Sequence, residues 1–289
     1  MKKAIKYGSL LVLLVVLIAV YLILSMEQRI NNQALSNEFN SNEQLINIHN
    51  INDIRLWQTD DEQKNVVLVF IHGAPGSGDQ FNIYLMDSTL RSKSSMITLD
   101  RPGYGYSSYG NDVSNINEQS ELIHHSLSSV IDSSQKILFI SHSFGGPIAA
   151  LIGINYPQNV IGHLMLNPVI DPNSEPMFWF SELPLWWPFR YFSSGAMKVA
   201  SHEKMMHPDE LNAISQKWIK NTIPTLMIQG KKDWLAPLGN VDFVKNNFPN
   251  GTLEMKVIDE YSHFIPFSQK DFVVDQIISM MDFSKNQDN

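Results

Sequence analysis

Ser143 is the residue of this sequence whose surroundings best suit a nucleophile. It lies in the segment SHSFG, in which the small Ser141 stands two positions before it and Gly145 two positions after it. The apolar run KILFIS leads into this segment and a helical pattern follows it, which predicts a sharp turn from a buried strand to a helix. Such a turn exposes the serine hydroxyl so that it can attack a substrate. A serine that only caps the helix is the simpler alternative.

The elements that must position Ser143 alternate between strands and helices along the chain. Continuous apolar runs are typical of strands buried on both faces, and runs with helical spacing lie between them. The predicted elements are a hairpin over Leu45–Gln58, buried strands ending at Gly73, Asp100 and Ser141, a helix over Asn117–Asp132, a helix after Ser143, short strands ending at Asn167 and Gly230, a strand near Leu253–Ile258 and a helix near Lys270–Phe283. This alternation predicts a mostly parallel sheet with helices on both faces and with active residues at the carboxyl ends of the strands.

The sequence resembles the α/β-hydrolase superfamily, in particular its esterase- and lipase-like branch, which also holds haloperoxidase-like and prolyl-aminopeptidase-like members. The resemblance extends from about Leu45 to Phe283 and rests on the SHSFG segment, on two glycine-containing loops before it, and on the order of nucleophile, acid and histidine. It implies an α/β-hydrolase fold with a helical cap inserted over the active site.

The resemblance also implies the base and the acid that a serine nucleophile requires. A serine hydroxyl becomes nucleophilic when a base takes its proton, and a carboxylate must orient that base. Of the nine histidines, His263 alone follows the final strand in a triad-like setting, IDEYSHFIPF. Asp233 comes just past the penultimate strand, where the family carries its acid. Asp171, one strand earlier, is a position that some members use, and it is the competing candidate.

Two backbone amides are expected to stabilise negative charge on a substrate oxygen. The segment FIHGAPGSGDQF ends the first buried strand, and its HG-x-PG pattern resembles the oxyanion loop of the family. The matching donors are the N–H groups of Ala74 and of Phe144, the residue after the nucleophile. His72 is expected to brace this loop. The loop Leu99–Ser108 resembles the D-x-P-G-x-G-x-S segment of the family and is expected to shape a turn beneath the site.

The composition excludes several kinds of chemistry and of partner. The formal charge of −8 disfavours nucleic acid, because nucleic-acid binding depends mainly on Lys and Arg. The chain of 289 residues has no cysteine, which excludes disulfides, thiolate metal sites and iron–sulfur clusters. No H-E-x-x-H or comparable ligand cluster is present, so we predict neither a metal nor a cofactor.

The first 26 residues are predicted to form a transmembrane anchor. Gly8–Met26 carries no charge and, at about 1.5 Å per residue, is long enough for the ~30 Å hydrocarbon core of a bilayer. Three lysines precede it, which predicts a single-pass protein of a bacterial cell membrane with its catalytic domain outside the cytoplasm. A cleaved signal peptide is the alternative, although no A-x-A-like site follows the run. Residues 27–44 read as a polar spacer and residues 45–289 as the hydrolase domain.

More than fifty residues separate the predicted strands that end at Asn167 and begin at Pro224. This interval is too long for an ordinary loop and predicts a cap at about residues 171–222. Its first part concentrates ten large apolar side chains: Phe178, Trp179, Phe180, Leu183, Leu185, Trp186, Trp187, Phe189, Tyr191 and Phe192. Three interpretations stay open for them, namely core packing between cap and main domain, the wall of an apolar acyl pocket, or an aromatic surface at a membrane interface.

These features predict a serine hydrolase that cleaves carboxylic esters of a small apolar substrate through an acyl-enzyme intermediate. A dehalogenase or epoxide hydrolase of this family is expected to carry Asp at position 143. Two alternatives stay open. An aminopeptidase-like amidase would need acidic residues for a substrate amine, and Glu175, Glu182 and Glu203 are candidates. A noncatalytic binding protein could also use the same scaffold. The sequence does not predict an oligomeric state.

Overall fold

The computed structural model of the chain describes residues 7–8, 10–18, 29–60 and 63–287. Residues 10–18 are helical with exposed side chains. No helix in these described ranges is both long and apolar enough to cross a membrane. The predicted anchor, residues 1–26, lies partly outside them.

Part of the predicted polar spacer packs on the domain. Asn32–Asn40 is a helix that begins at Asn31, whose side chain accepts a hydrogen bond from Ala34 N over 2.8 Å. Leu35 and Phe39 stand four positions apart, so they share one helix face, and both are fully buried. The helix Asn32–Asn40 therefore belongs to the packed domain and is more than a connecting segment.

Eight strands of the described chain form one sheet in the order β1-β2-β4-β3-β5-β6-β7-β8. They are β1 Ile46–Ile51, β2 Ile54–Thr59, β3 Val66–Ile71, β4 Ser95–Leu99, β5 Lys136–His142, β6 Val160–Leu166, β7 Thr225–Gly230 and β8 Leu253–Ile258. Strands β1 and β2 form the predicted hairpin and join the sheet antiparallel, whereas the other neighbours are parallel. The order reverses at β3, which lies between β4 and β5, and such a switch point opens a crevice at the carboxyl ends of the strands.

Helices cover both faces of this sheet, as predicted. Alternate side chains of β3 belong to two separate core clusters, one on each face, because successive side chains of a strand point to opposite sides. One cluster includes side chains of the helices Ile116–Leu127, Gly145–Asn155 and Gly239–Asn247. The other includes side chains of the helices Asn32–Asn40, Asn82–Leu85, Ser88–Lys93, Ile265–Ser268 and Lys270–Gln287.

One helix ends earlier than the spacing predicts. The helix Ile116–Leu127 stops before the expected Asp132. The hydroxyls of Ser128 and Ser129 donate back to carbonyls four residues earlier, over 2.8 and 3.1 Å. Serine hydroxyls that bond the backbone in this way favour a helix end over continuation.

The insertion between β6 and β7 holds the predicted cap, but only its second half is a long helix. Gly195–Ile214, the cap helix, begins at Ser194, whose hydroxyl accepts a hydrogen bond from Met197 N. The aromatic first half has two short 3₁₀ turns instead. Of its ten large apolar side chains, none is buried and seven are exposed. Core packing is therefore the wrong interpretation for those seven.

Candidate active site

Ser143 sits at a sharp turn between β5 and the helix Gly145–Asn155, here called the elbow helix. Its φ of 53° lies in the left-handed region, which is costly for a residue with a side chain. Backbone hydrogen bonds hold it there, since its N–H donates to Leu166 O over 3.1 Å and its carbonyl accepts from Gly146 N over 2.9 Å. The backbone thus stores strain at the predicted nucleophile.

Two glycines allow the chain to pass close to this turn. A Cβ on Gly145 would lie 2.5 Å from the carbonyl oxygen of Ile71 at the end of β3. A Cβ on Gly73 would lie 2.9 Å from Ser143 Cβ. Both distances are below normal contact, so the loop after β3 can press against the elbow only because these residues have no side chain.

His263 and Asp233 form a hydrogen-bonded pair in the loops that follow β8 and β7. His263 Nδ1–H donates to Asp233 Oδ2 over 2.8 Å, and both side chains are nearly or fully buried. The N–H groups of Leu235 and Ala236 donate to the other carboxylate oxygen over 2.9 and 2.8 Å. The carboxylate is therefore fixed in position, and Nε2 is the ring nitrogen of His263 left for chemistry.

Asp171, the competing acid, is held by its own loop. Its Oδ1 accepts the N–H of Asn173 over 2.9 Å, and its Oδ2 accepts the hydroxyl of Ser174. The carboxylate that reaches His263 is that of Asp233.

Ser143 and His263 line the same cavity. Among the hydrogen bonds of the described residues, none joins Ser143 Oγ to His263 Nε2. Catalytic hydrogen bonds are often long in empty active sites and tighten only when substrate is bound. Proton transfer between these two atoms requires the side chains to come together in the substrate complex.

Ala74 and Phe144 line this cavity beside Ser143. Neither of their backbone N–H groups has an acceptor within the part of the chain that the structure describes. Phe144 also stands at the N-terminus of the elbow helix, where the helix dipole is positive. Two unpaired donors next to a hydroxyl form the arrangement that stabilises an oxyanion in acyl transfer.

His72 braces the loop that carries Ala74, as the sequence predicts. Its Nδ1–H donates to Gly73 O over 2.7 Å, and its Nε2 accepts the N–H of Arg101 over 2.9 Å. Burial, together with the nearby Arg101 charge, holds the pKa of His72 well below its usual value. A neutral ring is what this donor and acceptor pattern needs.

His142 supports the candidate base and was not identified from the sequence. Its Nε2–H donates to the carbonyl oxygen of His263 over 2.8 Å. Burial, followed by the neighbouring His263, lowers the pKa of His142 to about 3. Its position directly before Ser143 was the only local signal for such a contact.

A buried ion pair joins the cap helix to the oxyanion loop. Arg101 Nη1 and Glu203 Oε1 are 2.7 Å apart, and neither side chain is exposed. Arg101 also donates from Nε to His72 O and from Nη2 to Gly73 O, each over 3.0 Å. The guanidinium thereby links the cap helix to the backbone before Ala74. Because Glu203 is buried and paired with Arg101, its carboxylate is not available to a substrate amine.

Glu175 and Lys204 line the cavity, and Glu175 bonds to both Lys204 and His207. Glu175 contacts Lys204 Nζ through one oxygen and accepts His207 Nδ1–H over 3.1 Å through the other. Although burial alone would raise the pKa of Glu175, His207 and Lys204 hold that pKa below its usual value. The His207 ring packs 4.4 Å from the ring of Phe144. The carboxylate of Glu175 is therefore already paired within the cap.

The shared cavity has a volume of about 210 Å³ and mostly apolar walls. Its lining from the cap helix is Met197, Ala200, Ser201 and Lys204, which share one helix face. Its other apolar lining side chains are Ala74, Pro75, Phe144, Val169, Phe178, Phe180, Pro184 and Leu235. The volume is below the ~300 Å³ of small ligand pockets, so the cavity accommodates a small acyl group or part of a larger molecule. Within the described residues, no three His, Asp or Glu side chains converge as a metal site requires.

The family comparison covers most of the chain. A family model described as "Alpha/beta hydrolase family" matches residues 68–275, a stretch that contains all five predicted site residues. A search of curated proteins returned no match.

Several solved structures share this fold at low sequence identity. A candidate lipase from Acinetobacter baumannii is 16% identical with a TM-score of 0.67, covering 88% of this chain and 96% of its own. A membrane phospholipase A, described as a bacterial virulence factor, is 16% identical with a TM-score of 0.64. The match covers 99% of this chain and 100% of the phospholipase chain. Est816, an N-acyl homoserine lactone degrading enzyme, is 18% identical with a TM-score of 0.60. The match covers 81% of this chain and 99% of the Est816 chain.

Proposed function

Because this chain belongs to the alpha/beta hydrolase family, we propose that it is a serine esterase that cleaves carboxylic esters of apolar acyl groups. Ser143 is the nucleophile, His263 the general base and Asp233 the carboxylate that orients it. The observation that carries the proposal is the 2.8 Å hydrogen bond from His263 to Asp233 at the cavity that Ser143 also lines.

The reaction proceeds in two acyl-transfer steps. Ser143 Oγ bonds to the ester carbonyl carbon while His263 Nε2 takes the hydroxyl proton, and the N–H groups of Ala74 and Phe144 bind the resulting oxyanion. The intermediate collapses, the ester C–O bond breaks, and the leaving alcohol takes the proton from His263. Water then attacks the acyl-enzyme with His263 as base, which releases the acid and restores the Ser143 hydroxyl.

The surroundings of the cavity favour an ester over an aminoacyl amide. An amidase that binds a substrate amine needs an unpaired carboxylate near the nucleophile. Glu203 is buried against Arg101, Glu175 is paired with Lys204 and His207, and Glu182 is not among the residues that line the cavity. The apolar lining instead suits an acyl chain. Lipase, phospholipase and lactone-degrading activities among the similar structures agree with this choice.

Substitution of the three proposed residues tests the mechanism. Full-length protein should hydrolyse p-nitrophenyl esters faster than aminoacyl anilides and should react with a fluorophosphonate probe. Ser143→Ala should abolish both reactions, and Asp233→Asn should lower kcat by about 10³–10⁴-fold, as loss of a triad acid does elsewhere. Asp171→Asn is the matched control and should retain activity. Undiminished hydrolysis or labelling of Ser143→Ala would refute the proposal.

We also propose that residues 1–26 anchor the protein in a bacterial cell membrane with the hydrolase domain outside the cytoplasm. The uncharged run Gly8–Met26 and the three lysines before it support this orientation. The full chain should then stay in the membrane fraction after carbonate washing, and protease added to intact spheroplasts should digest the domain. A mature N-terminus near residue 26 would instead identify a cleaved signal peptide.

A further inference from the structure

The first half of the cap exposes a long run of large apolar side chains, residues 177–192, here called the aromatic segment. Trp179, Trp187 and Tyr191 are 81%, 77% and 71% exposed. Single exposed apolar residues are common on soluble proteins, but a continuous set of this kind marks an interaction surface. The other exposed members are Met177, Phe180, Trp186, Phe189 and Phe192.

One end of the aromatic segment is continuous with the wall of the catalytic cavity. Phe178 and Phe180 line the cavity with Ser143, and their rings stack at 5.1 Å. Trp179 packs edge-on against Phe180 at 5.7 Å, and Phe178 packs edge-on against Trp234 at 5.3 Å. Trp234 is itself 62% exposed. Whatever covers the aromatic segment therefore also lies next to the cavity.

The other end of the aromatic segment lies close to the point where the N-terminal apolar run joins the domain. The Arg29 guanidinium stacks 4.0 Å above the ring of Tyr109. The same ring lies against Gly195, the first residue of the cap helix, where a Cβ would come within 2.5 Å of it. Met26 and Arg29 are three positions apart in the sequence, and a chain of that length spans at most about 11 Å. Arg29, the first described residue after the apolar run, thus lies beside the start of the cap helix.

The charge of the aromatic segment suits an uncharged or zwitterionic surface. It holds one acidic residue, Glu182, and one basic residue, Arg190, so its formal charge is zero in a chain of net charge −8. Trp and Tyr prefer the interfacial region of bilayers, where the ring is apolar on one side and wet on the other. A charge-driven partner such as an acidic peptide or nucleic acid has nothing to bind here.

We propose that the aromatic segment docks on the surface of the bilayer that holds the N-terminal run, and that this docking presents the cavity to acyl esters resident in that bilayer. The docking itself is independent of catalysis, whereas the nature of the substrate rests on the proposed esterase function. A cavity of about 210 Å³ takes only part of a lipid, and the remainder can then stay in the bilayer beside the aromatic segment.

Quenching of tryptophan fluorescence by brominated lipids tests the docking directly. The six tryptophans all lie after residue 56, so none belongs to the N-terminal run. The full chain is reconstituted into phosphatidylcholine nanodiscs with or without bromine on the acyl chains. Because four of the six tryptophans are exposed and lie in or beside the aromatic segment, brominated lipid should remove about half of the emission. Trp179→Ser/Trp187→Ser should lose most of this quenching.

Three controls separate docking from unrelated causes of quenching. Ile219→Ser/Val257→Ser removes exposed apolar side chains elsewhere and should leave the quenching unchanged. Ser143→Ala should be quenched like the wild type, so failure of the esterase proposal leaves this test intact. Quenching should persist in 0.5 M NaCl, since screening weakens only charge-driven contacts. Equal emission in brominated and plain lipid would overturn the proposal, as would quenching that the Trp179→Ser/Trp187→Ser variant keeps in full. If the protein then forms dimers, a second copy of the chain is the occupant of the aromatic segment.

Discussion

Arg101 uses all five of its N–H donors inside the protein. They go to the carbonyls of His72 and Gly73, to the Gln119 side chain and to both oxygens of Glu203. Glu203 accepts two further hydrogen bonds, from Tyr104 and Gln119. Removal of either charge would leave its partner buried without compensation, which typically costs about 3–5 kcal/mol.

Glu203→Gln should therefore lower the free energy of unfolding by about 3 kcal/mol, within the range for broken buried pairs. It should also lower kcat, because Arg101 holds the backbone that precedes Ala74. Urea denaturation followed by circular dichroism measures the first effect and ester hydrolysis the second. Glu254→Gln, which removes an exposed ion pair with Lys256, is the control and should change little. Equal losses for both variants would contradict the assigned importance of the buried pair.

His142 offers a second test at the scale of one hydrogen bond. His142→Phe removes the donor to His263 O and leaves that buried carbonyl without its partner, at a cost of about 1–3 kcal/mol. We expect kcat to fall by about tenfold with little change in KM, since the contact positions the base and not the substrate. His142→Gln keeps a donor and should recover part of the activity. If KM rises and kcat stays constant, the ring acts on substrate binding instead.

The sequence identified the residues that follow strands more readily than those that meet across the fold. Ser143, Asp233 and His263 each lie in the turn or loop that follows a strand of the sheet, and parallel strands bring their carboxyl ends to one edge. Arg101 and Glu203 are 102 positions apart. Two charges that are so far apart in the sequence form no short-range pattern, so their contact is seen only in the three-dimensional structure.

At the scale of elements, the elbow helix depends on its first residue. Gly145→Ala would place a Cβ 2.5 Å from Ile71 O and 2.8 Å from His72 O, both rigid backbone atoms. The helix must then move away from β3, and we expect loss of both activity and thermal stability. Gly153→Ala in the same helix is the matched control, because its Cβ would meet the flexible Ile223 side chain at 3.2 Å.

The Gly153→Ala variant should be close to neutral. Alanine favours a helix interior over glycine by about 1 kcal/mol, which offsets a contact that Ile223 can relieve by a small shift. The melting temperature and the rate of ester hydrolysis of both variants measure the contrast. Similar behaviour of the two variants would mean that the approach of the elbow helix to β3 is not the limiting contact.

Strands and helices were predictable where the spacing of apolar residues in the sequence matches the burial of those residues in the structure. Strand β8 occupies the predicted residues Leu253–Ile258, and β3 lies within its apolar run. The cap was predictable as an insertion, but not in its form. A cluster of aromatic residues is compatible with burial or exposure, because the sequence records the side chains and not what lies over them. The exposure of Trp187 is a property of the tertiary structure.

At the scale of the whole molecule, three buried histidines make stability depend on pH. Burial is the main cause that lowers the pKa of His72, His142 and His163, to about 3 for the last two. In the unfolded chain each has a pKa of about 6.5. Below that pH the three histidines bind protons in the unfolded chain but not in the folded protein. The stability present at neutral pH is therefore lost as the pH falls.

The slope of this loss can be assigned to individual histidines. Each contributes up to about 1.4 kcal/mol per pH unit between pH 6 and 4, so the three together give about 4 kcal/mol per unit. His163→Gln keeps a polar group for Ser141, which lies 2.7 Å from His163 Nε2, and should reduce the slope by about one third. Urea denaturation at pH 4.5, 5.5, 6.5 and 7.5 measures it. The same substitution at the exposed His125 is the control, and an unchanged slope in His163→Gln would mean that His163 is protonated in the folded protein at mildly acidic pH.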